Sequence, residues 1–152
     1  MRVFRIVKEK YATLDGVGGL HSSGRWHNKG TRVIYTSESS ALAAWEYIVH
    51  IGTLSLLPND LVLLEIDIPE YNIIELPIKD LVDGWNGFPF KDETMNVCSI
   101  YFNTNKAFAI KVPSVVIPNS FNYVLNPNHP KINQCKIIEM APFAYDSRLI
   151  DL

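Results

Sequence analysis

Arg25, Tyr35, Glu46 and Ser114 are the residues whose types and settings suit a ligand that is polar at one end and flat at the other. Arg25 lies in SSGRWHNKGTRVIYTS, Ser22 to Ser37, between Gly24 and Trp26. A guanidinium offers a planar fork of donors that matches phosphate or carboxylate. A glycine beside it lets the backbone come close to a ligand. The same neighbours also suit a surface turn in which Arg25 stacks on Trp26. The stretch is therefore either a turn or the lip of a binding site.

Glu46 lies in SALAAWEYIVH, where Leu42, Trp45 and Val49 form an apolar stripe at helical spacing. It sits at the edge of that stripe, so its carboxylate either pairs with a cation or lines a cleft. Tyr35 alternates with Val33 on a strand and is either core or a wall for a flat group. Ser114, in KVPSVVIP, is either a strand-edge hydroxyl or a group turned into a pocket; no G-x-S-x-G elbow surrounds it. Asn122, Asn126, Asn128 and His129 crowd NYVLNPNHP, a composition that turn chemistry explains. His21, His27, His50 and His129 show no H-x-x-x-H or H-E-x-x-H spacing, so no metal site is expected.

The elements that must position these residues can be read from the pattern. RVFRIV reads as a first strand, Ala12 to Gly30 as a long loop, and TRVIYT as a second strand. A helix follows, capped by Ser37 or Ser39, running to about His50 and stopped by Gly52. LVLLEIDIP is a strand with Val62, Leu64, Ile66 and Ile68 inward, and NIIEL is a shorter one. IKDLVDGW holds one or two helical turns. KDETMNVCSIYFNT reads as a helix with Met95, Cys98 and Phe102 on one stripe. AFAIKVP, YVLNP and CKIIEMAPF are strands. Strands and helices without βαβ alternation favour an α+β fold with mixed sheets and flanking helices.

The totals set the frame. The chain's 152 residues suit one domain, 1–152, large enough to bury about 68–70% of its unfolded surface. A net charge of −2 argues against direct nucleic-acid binding, which needs a basic excess. Cys98 and Cys135 are expected as free thiols. No stretch approaches the ~20 apolar residues that cross a bilayer. The N-terminal MRVFRIVKEKY lacks the apolar run of a signal peptide. A cytoplasmic protein that does not bind membranes is expected.

Taken in order, GRWHNKGTRVIYTS, ALAAWEYIVH, KVPSVVIP, NYVLNPNHP and the closing FAYDSRL resemble the RES-domain family, over nearly the whole chain. The resemblance implies a fold like that of ADP-ribosyltransferases. It implies the toxin of a bacterial type II toxin–antitoxin pair that destroys NAD+ by cleaving its nicotinamide–ribose bond, with NAD+ as substrate and no cofactor. Some relatives instead phosphorolyse NAD+ or transfer ADP-ribose to a protein. The implied partner is an Xre-like helix-turn-helix antitoxin around a toxin dimer. By position, Arg25 would hold the phosphates or adjoining ribose, Tyr35 would pack on nicotinamide, and Glu46 would orient the ribose and stabilise the sugar cation. Ser114 would hydrogen-bond in the nicotinamide pocket, with Asn126 supporting from behind. Where the family often reads G-R-W-N, this chain places His27 after Trp26, with Asn28 next. Residues 86–105 match the family poorly and receive no role.

Overall fold

The computed structural model describes residues 1–150, so the last two positions of the expected 1–152 domain lie outside the described residues. Seven strands make one sheet: β1 Arg2–Lys8, β2 Ile34–Ser37, β3 Leu61–Asp67, β4 Ile73–Glu75, β5 Ala109–Pro113, β6 Phe121–Leu125 and β7 Lys136–Pro142. Their spatial order is β4-β5-β6-β2-β1-β3-β7. Only β4 and β5 run parallel; every other neighbouring pair is antiparallel. Among the described residues four α-helices accompany the sheet: α1 Ser40–Ile51, α2 Asp92–Met95, α3 Val97–Phe102 and α4 Ser147–Ile150. The fold is α+β, as the element pattern predicts.

Alternation divides the sheet into two buried faces. Val3, Ile34, Leu64, Ile66, Phe108 and Leu125 pack together on one of them. Trp26, Val33, Ile110, Val112 and Val124 lie on the other, under Val97, Cys98 and Phe102 of α3. Burial on both faces explains why β5 and β6 are mostly apolar, interrupted only by Lys111 and Asn122. α1 covers the second face further along, where Ala43 packs with Ile6 and Leu61 and is flanked by Ala44 and Tyr47. This second face therefore carries helices at both ends.

α1 begins at Ser39, whose hydroxyl accepts from the Leu42 N–H at 3.1 Å. Such a cap contributes about 1 kcal/mol. It ends at Gly52, which takes the left-handed conformation with φ +75°. The expected stripe differs from the observed one. Trp45 is 48% exposed and Val49 is 56% exposed. Leu42 and Ala43 are the buried pair, because the helix turns its small residues to the sheet and allows close approach. The expected single helix from Lys91 to Thr104 is two short ones that meet at Asn96. Cys98 and Phe102 are buried there, and Met95 is not fully so. Both cysteines are free, Cys98 buried and Cys135 half-buried.

Candidate functional site

Register places the polar residues of the second face. Ser37 pairs with Asn122, and Asn122 with Val112. Paired positions share a face, and so do alternate positions along a strand. Tyr35, Ser37 and Asn122 therefore point to the same side, the side on which α1 lies. One helical turn above the buried Leu42, Glu46 reaches down to them.

Glu46 Oε1 accepts two hydrogen bonds, from Ser114 Oγ at 2.8 Å and from Asn122 Nδ2 at 2.5 Å. Asn122 is held in turn, because its Oδ1 accepts from Ser37 Oγ at 2.7 Å. Ser114 Oγ accepts from the N–H groups of Val116 and Ile117, both at 3.0 Å, so its single proton is left to Glu46. Both donors converge on one carboxylate oxygen. Among the described residues, Oε2 accepts no hydrogen bond. The result is a carboxylate fixed in orientation with one oxygen left to act on a ligand.

Tyr35 and His27 form the second part. His27 Nε2 lies 2.8 Å from the Ser22 carbonyl oxygen, which can only accept, so Nε2 carries the proton. Nδ1 then accepts from the Tyr35 hydroxyl at 2.8 Å. The same hydroxyl accepts from the Trp26 N–H at 3.3 Å. Burial pushes Tyr35 well above the usual phenol range, helped by the nearby Cys98, while the Trp26 N–H and the Arg25 charge oppose the rise. Burial also lowers His27, partly offset by the Ser22 hydrogen bond. Both groups stay neutral and hold the loop. Gly24 is required here: a Cβ on it would sit 2.9 Å from the His27 ring and from the Tyr35 hydroxyl.

Arg25 supplies the cation. Of the two readings open for its loop, the stacked Arg–Trp pair is not what forms. Trp26 is 3% exposed, and its carbonyl accepts from the Cys98 N–H at 3.0 Å. Arg25 instead reaches a strap, residues 81–91. Its Nη1 donates to the carbonyls of Trp85 at 2.5 Å and Gly87 at 3.0 Å, and its guanidinium carbon lies 4.8 Å from the Phe90 ring centre. Desolvation lowers Arg25 from the usual range, and the charge of Glu46 pulls it back. Glu46 and Arg25 thus feel one another, and Tyr35 lies in the field of both. Asn28 anchors the other flank of the loop, donating to Asn96 Oδ1 at 2.7 Å and to the Met95 carbonyl at 3.3 Å.

A slot of about 270 Å³ opens beside Ser114, bounded by Ile78, Trp85, Pro113, Pro118 and Phe121. A larger cavity of about 430 Å³ lies elsewhere, among Thr31, Arg32, Asn103, Asn105 and Asn128, and none of the four candidate residues lines it. The slot next to the carboxylate is the better site, because a ligand needs the chemistry as well as the space. Among the described residues, no group of three His, Cys, Asp or Glu side chains is arranged to hold a metal ion.

Arg25, Tyr35, Glu46 and Ser114 are thus brought to one face. Asn126 is not among the partners of Glu46. It is fully buried, its Nδ2 donates to the Ala107 carbonyl at 3.3 Å, and its Oδ1 accepts from the Asn128 N–H at 3.0 Å. It holds the turn after β6, roughly 13 Å along the strand from Asn122. Asn122 and Ser37 were not foreseen as site residues. The signal for Ser37 was its parity with Tyr35 on β2; the face of Asn122 follows only from strand register, and asparagine near prolines reads as turn chemistry. The strap residues carried little signal, since the hydrogen bonds from Arg25 go to their carbonyls.

Fold and site together define a single-domain α+β protein with a carboxylate and an arginine on one sheet face. The match to the RES domain spans residues 2–146, and the chain belongs to that family. It is 36% identical over 156 residues to a protein named Toxin Res from Photorhabdus laumondii, covering 99% of this chain and 97% of that one. A Toxin Res of Yersinia enterocolitica is 33% identical over 98% of this chain and 99% of its own length. A Prs ADP-ribosylating toxin of a Sphingobium species is 29% identical over 90% of this chain and 86% of its own length. The fold is similar to a chain in the crystal structure of the M. tuberculosis MbcT–MbcA toxin–antitoxin complex, with a TM-score of 0.75 and 14% identity. The similarity covers 99% of this chain and 86% of that one.

Proposed function

We propose that this protein is the toxin of a bacterial toxin–antitoxin pair and that it cleaves the nicotinamide–ribose bond of NAD+. The observation that carries the reading is Glu46, fixed by two donors on one oxygen, with the Arg25 charge close enough to interact with it. Cleavage breaks the C–N bond to the nicotinamide ring, which leaves neutral, and builds positive charge on the ribose, much as in glycoside cleavage. The free oxygen of Glu46 orients a ribose hydroxyl and stabilises that charge. Arg25 holds the pyrophosphate, and the aromatic side of the site takes the base. Electrostatic preorganisation of this kind is a large catalytic term. Water completes the reaction, giving ADP-ribose, free nicotinamide and a proton. NAD+ enters as substrate, with no separate cofactor.

Incubation of the purified, antitoxin-free protein with NAD+, followed by mass spectrometry, tests this. Nicotinamide and ADP-ribose should appear in equal amounts and far more slowly with Glu46→Gln. Intact NAD+ after prolonged incubation with wild type would end the hydrolysis reading.

A second reading is transfer of ADP-ribose to a host protein, favoured by the likeness to an ADP-ribosylating toxin. Adenine-labelled NAD+ would then mark a protein band. ADP-ribose 1″-phosphate would instead mark phosphate as the acceptor. The partner we propose is an Xre-like antitoxin whose tail fills the cleft near Arg25, around a toxin dimer, in the cytoplasm. Among the described residues no helix is long and apolar enough to cross a membrane.

A further inference from the structure

The slot beside Ser114 is bounded by a residue that neither the sequence motifs nor the mechanism above uses. Trp85 sits on the strap, and its indole stacks on Trp26 with ring centres 6.0 Å apart and planes 28° apart. Trp26 is itself buried, so it fixes the plane of the Trp85 ring. The Trp85 carbonyl accepts from Arg25, which fixes the backbone. Lys91 Nζ donates to the Asp83 carbonyl at 2.5 Å, closing the strap on itself. The ring is thus held from three directions while it lines the slot.

The rest of the wall is apolar and flat-sided: Ile78, Pro113, Pro118 and Phe121. Asn86 and Asn119 add polar edges. The volume of about 270 Å³ falls just under the range for a whole drug-sized ligand, so it fits one ring of a dinucleotide. Ser114 borders the slot and donates to Glu46, so the carboxylate lies one hydrogen bond from the slot wall.

We propose that this slot seats a planar heteroaromatic ring of the nucleotide and that Trp85 is its stacking wall. The proposal rests on the NAD+ reading of the site. Ring-on-indole stacking is tolerant of base identity and strong enough to set affinity.

The test uses the full chain carrying Glu46→Gln, so that NAD+ is bound and not consumed. NAD+ is titrated while tryptophan fluorescence and heat of binding are followed. NAD+ should quench the fluorescence and bind. Trp85→Phe, which keeps an aromatic ring, should lose most of the quench and weaken binding severalfold; Trp85→Ala should weaken it roughly tenfold or more. Should the Trp85 variants fold poorly, Ile78→Trp serves instead. Position 78 is 59% exposed, so the larger side chain fills the slot without touching the core. It should weaken binding to a similar degree with Trp85 in place. The ring that occupies the slot is the one whose fragment, nicotinamide or AMP, reproduces the quench.

NAD+ that binds equally well to the parent, to folded Trp85→Ala and to Ile78→Trp would overturn the stacking wall and leave the NAD+ reading standing. NAD+ that binds none of the proteins, the parent included, would overturn both.

Discussion

Two polar clusters sit near opposite ends of β6, and they are built in different ways. At the Asn122 end, side chains bond to side chains from different elements: Ser37, Glu46, Ser114 and Asn122 come from β2, α1, the turn after β5, and β6. At the Asn126 end, side chains bond mostly to nearby backbone. Asn126 serves Ala107 and Asn128, and His129 Nδ1 accepts from the Lys131 N–H at 3.1 Å. The first arrangement fixes a charge and leaves one of its oxygens free. The second satisfies the chain's own polar groups and leaves little over. Both clusters are asparagine-rich, so composition alone does not tell a site from a turn. The bonding pattern does.

The sharpest way to break that contrast is Glu46→Gln. The amide keeps an oxygen for Ser114 and Asn122 but removes the charge. Nicotinamide release should fall by about 10²–10³, or about 2.7–4 kcal/mol of transition-state stabilisation, with the melting temperature little changed. Ser114→Ala comes next. It removes one hydrogen bond to the carboxylate and two acceptor contacts to backbone N–H groups. Its effect should total roughly 1.5–3 kcal/mol, shared between nicotinamide release and denaturant midpoint.

Asn126→Ala should do the opposite. Stability should drop by about 1–3 kcal/mol in urea unfolding, because buried backbone groups lose partners, while release per folded molecule holds. A loss of activity as steep as that of Glu46→Gln, without loss of stability, would dissolve the distinction between the clusters.

The smallest effect concerns His27. Its folded-state value is depressed by burial, so the unfolded chain binds a proton first. The stability this gives is present above the unfolded value of about 6.5 and is lost as pH falls toward the folded value. Melting curves from about pH 7.5 to about pH 5.5 should show a decline that His27→Gln flattens.

The same distinction between side chain and backbone explains what the sequence revealed. Strands β3, β5 and β6 were legible because their cores alternate or run apolar, and Val62, Leu64, Ile66 and Ile68 are all buried as the pattern predicts. Glu46 was placed at the edge of the buried face even though, of the stripe Leu42, Trp45 and Val49, only Leu42 is buried. Hydrophobicity favoured Trp45 and Val49, whereas close packing against β1 and β2 favoured Leu42 and Ala43. Arg25, Tyr35 and Ser114 stood out by side-chain type. Asn122 did not, because only strand register reveals that it faces Glu46. The junction at Asn96 was missed because the stripe continues through it, Cys98 and Phe102 both being buried. IKDLVDGW was read as one or two helical turns and holds a single 3-10 turn, Ile78–Asp80; the rest of the strap was illegible.

That last silence follows from the grip on Arg25. The guanidinium holds two main-chain carbonyls, and every residue type presents a carbonyl. Substitutions at Gly87 that respect the backbone path would leave the acceptor in place, so this part of the molecule is free to drift in composition over evolutionary time. Its length is not. One residue added or removed between 85 and 87 would shift an acceptor by more than a hydrogen bond can span. Along this segment, selection would therefore be expected to reject insertion and, away from Trp85 and Phe90, tolerate exchange, so relatives should conserve its length and vary most of its letters.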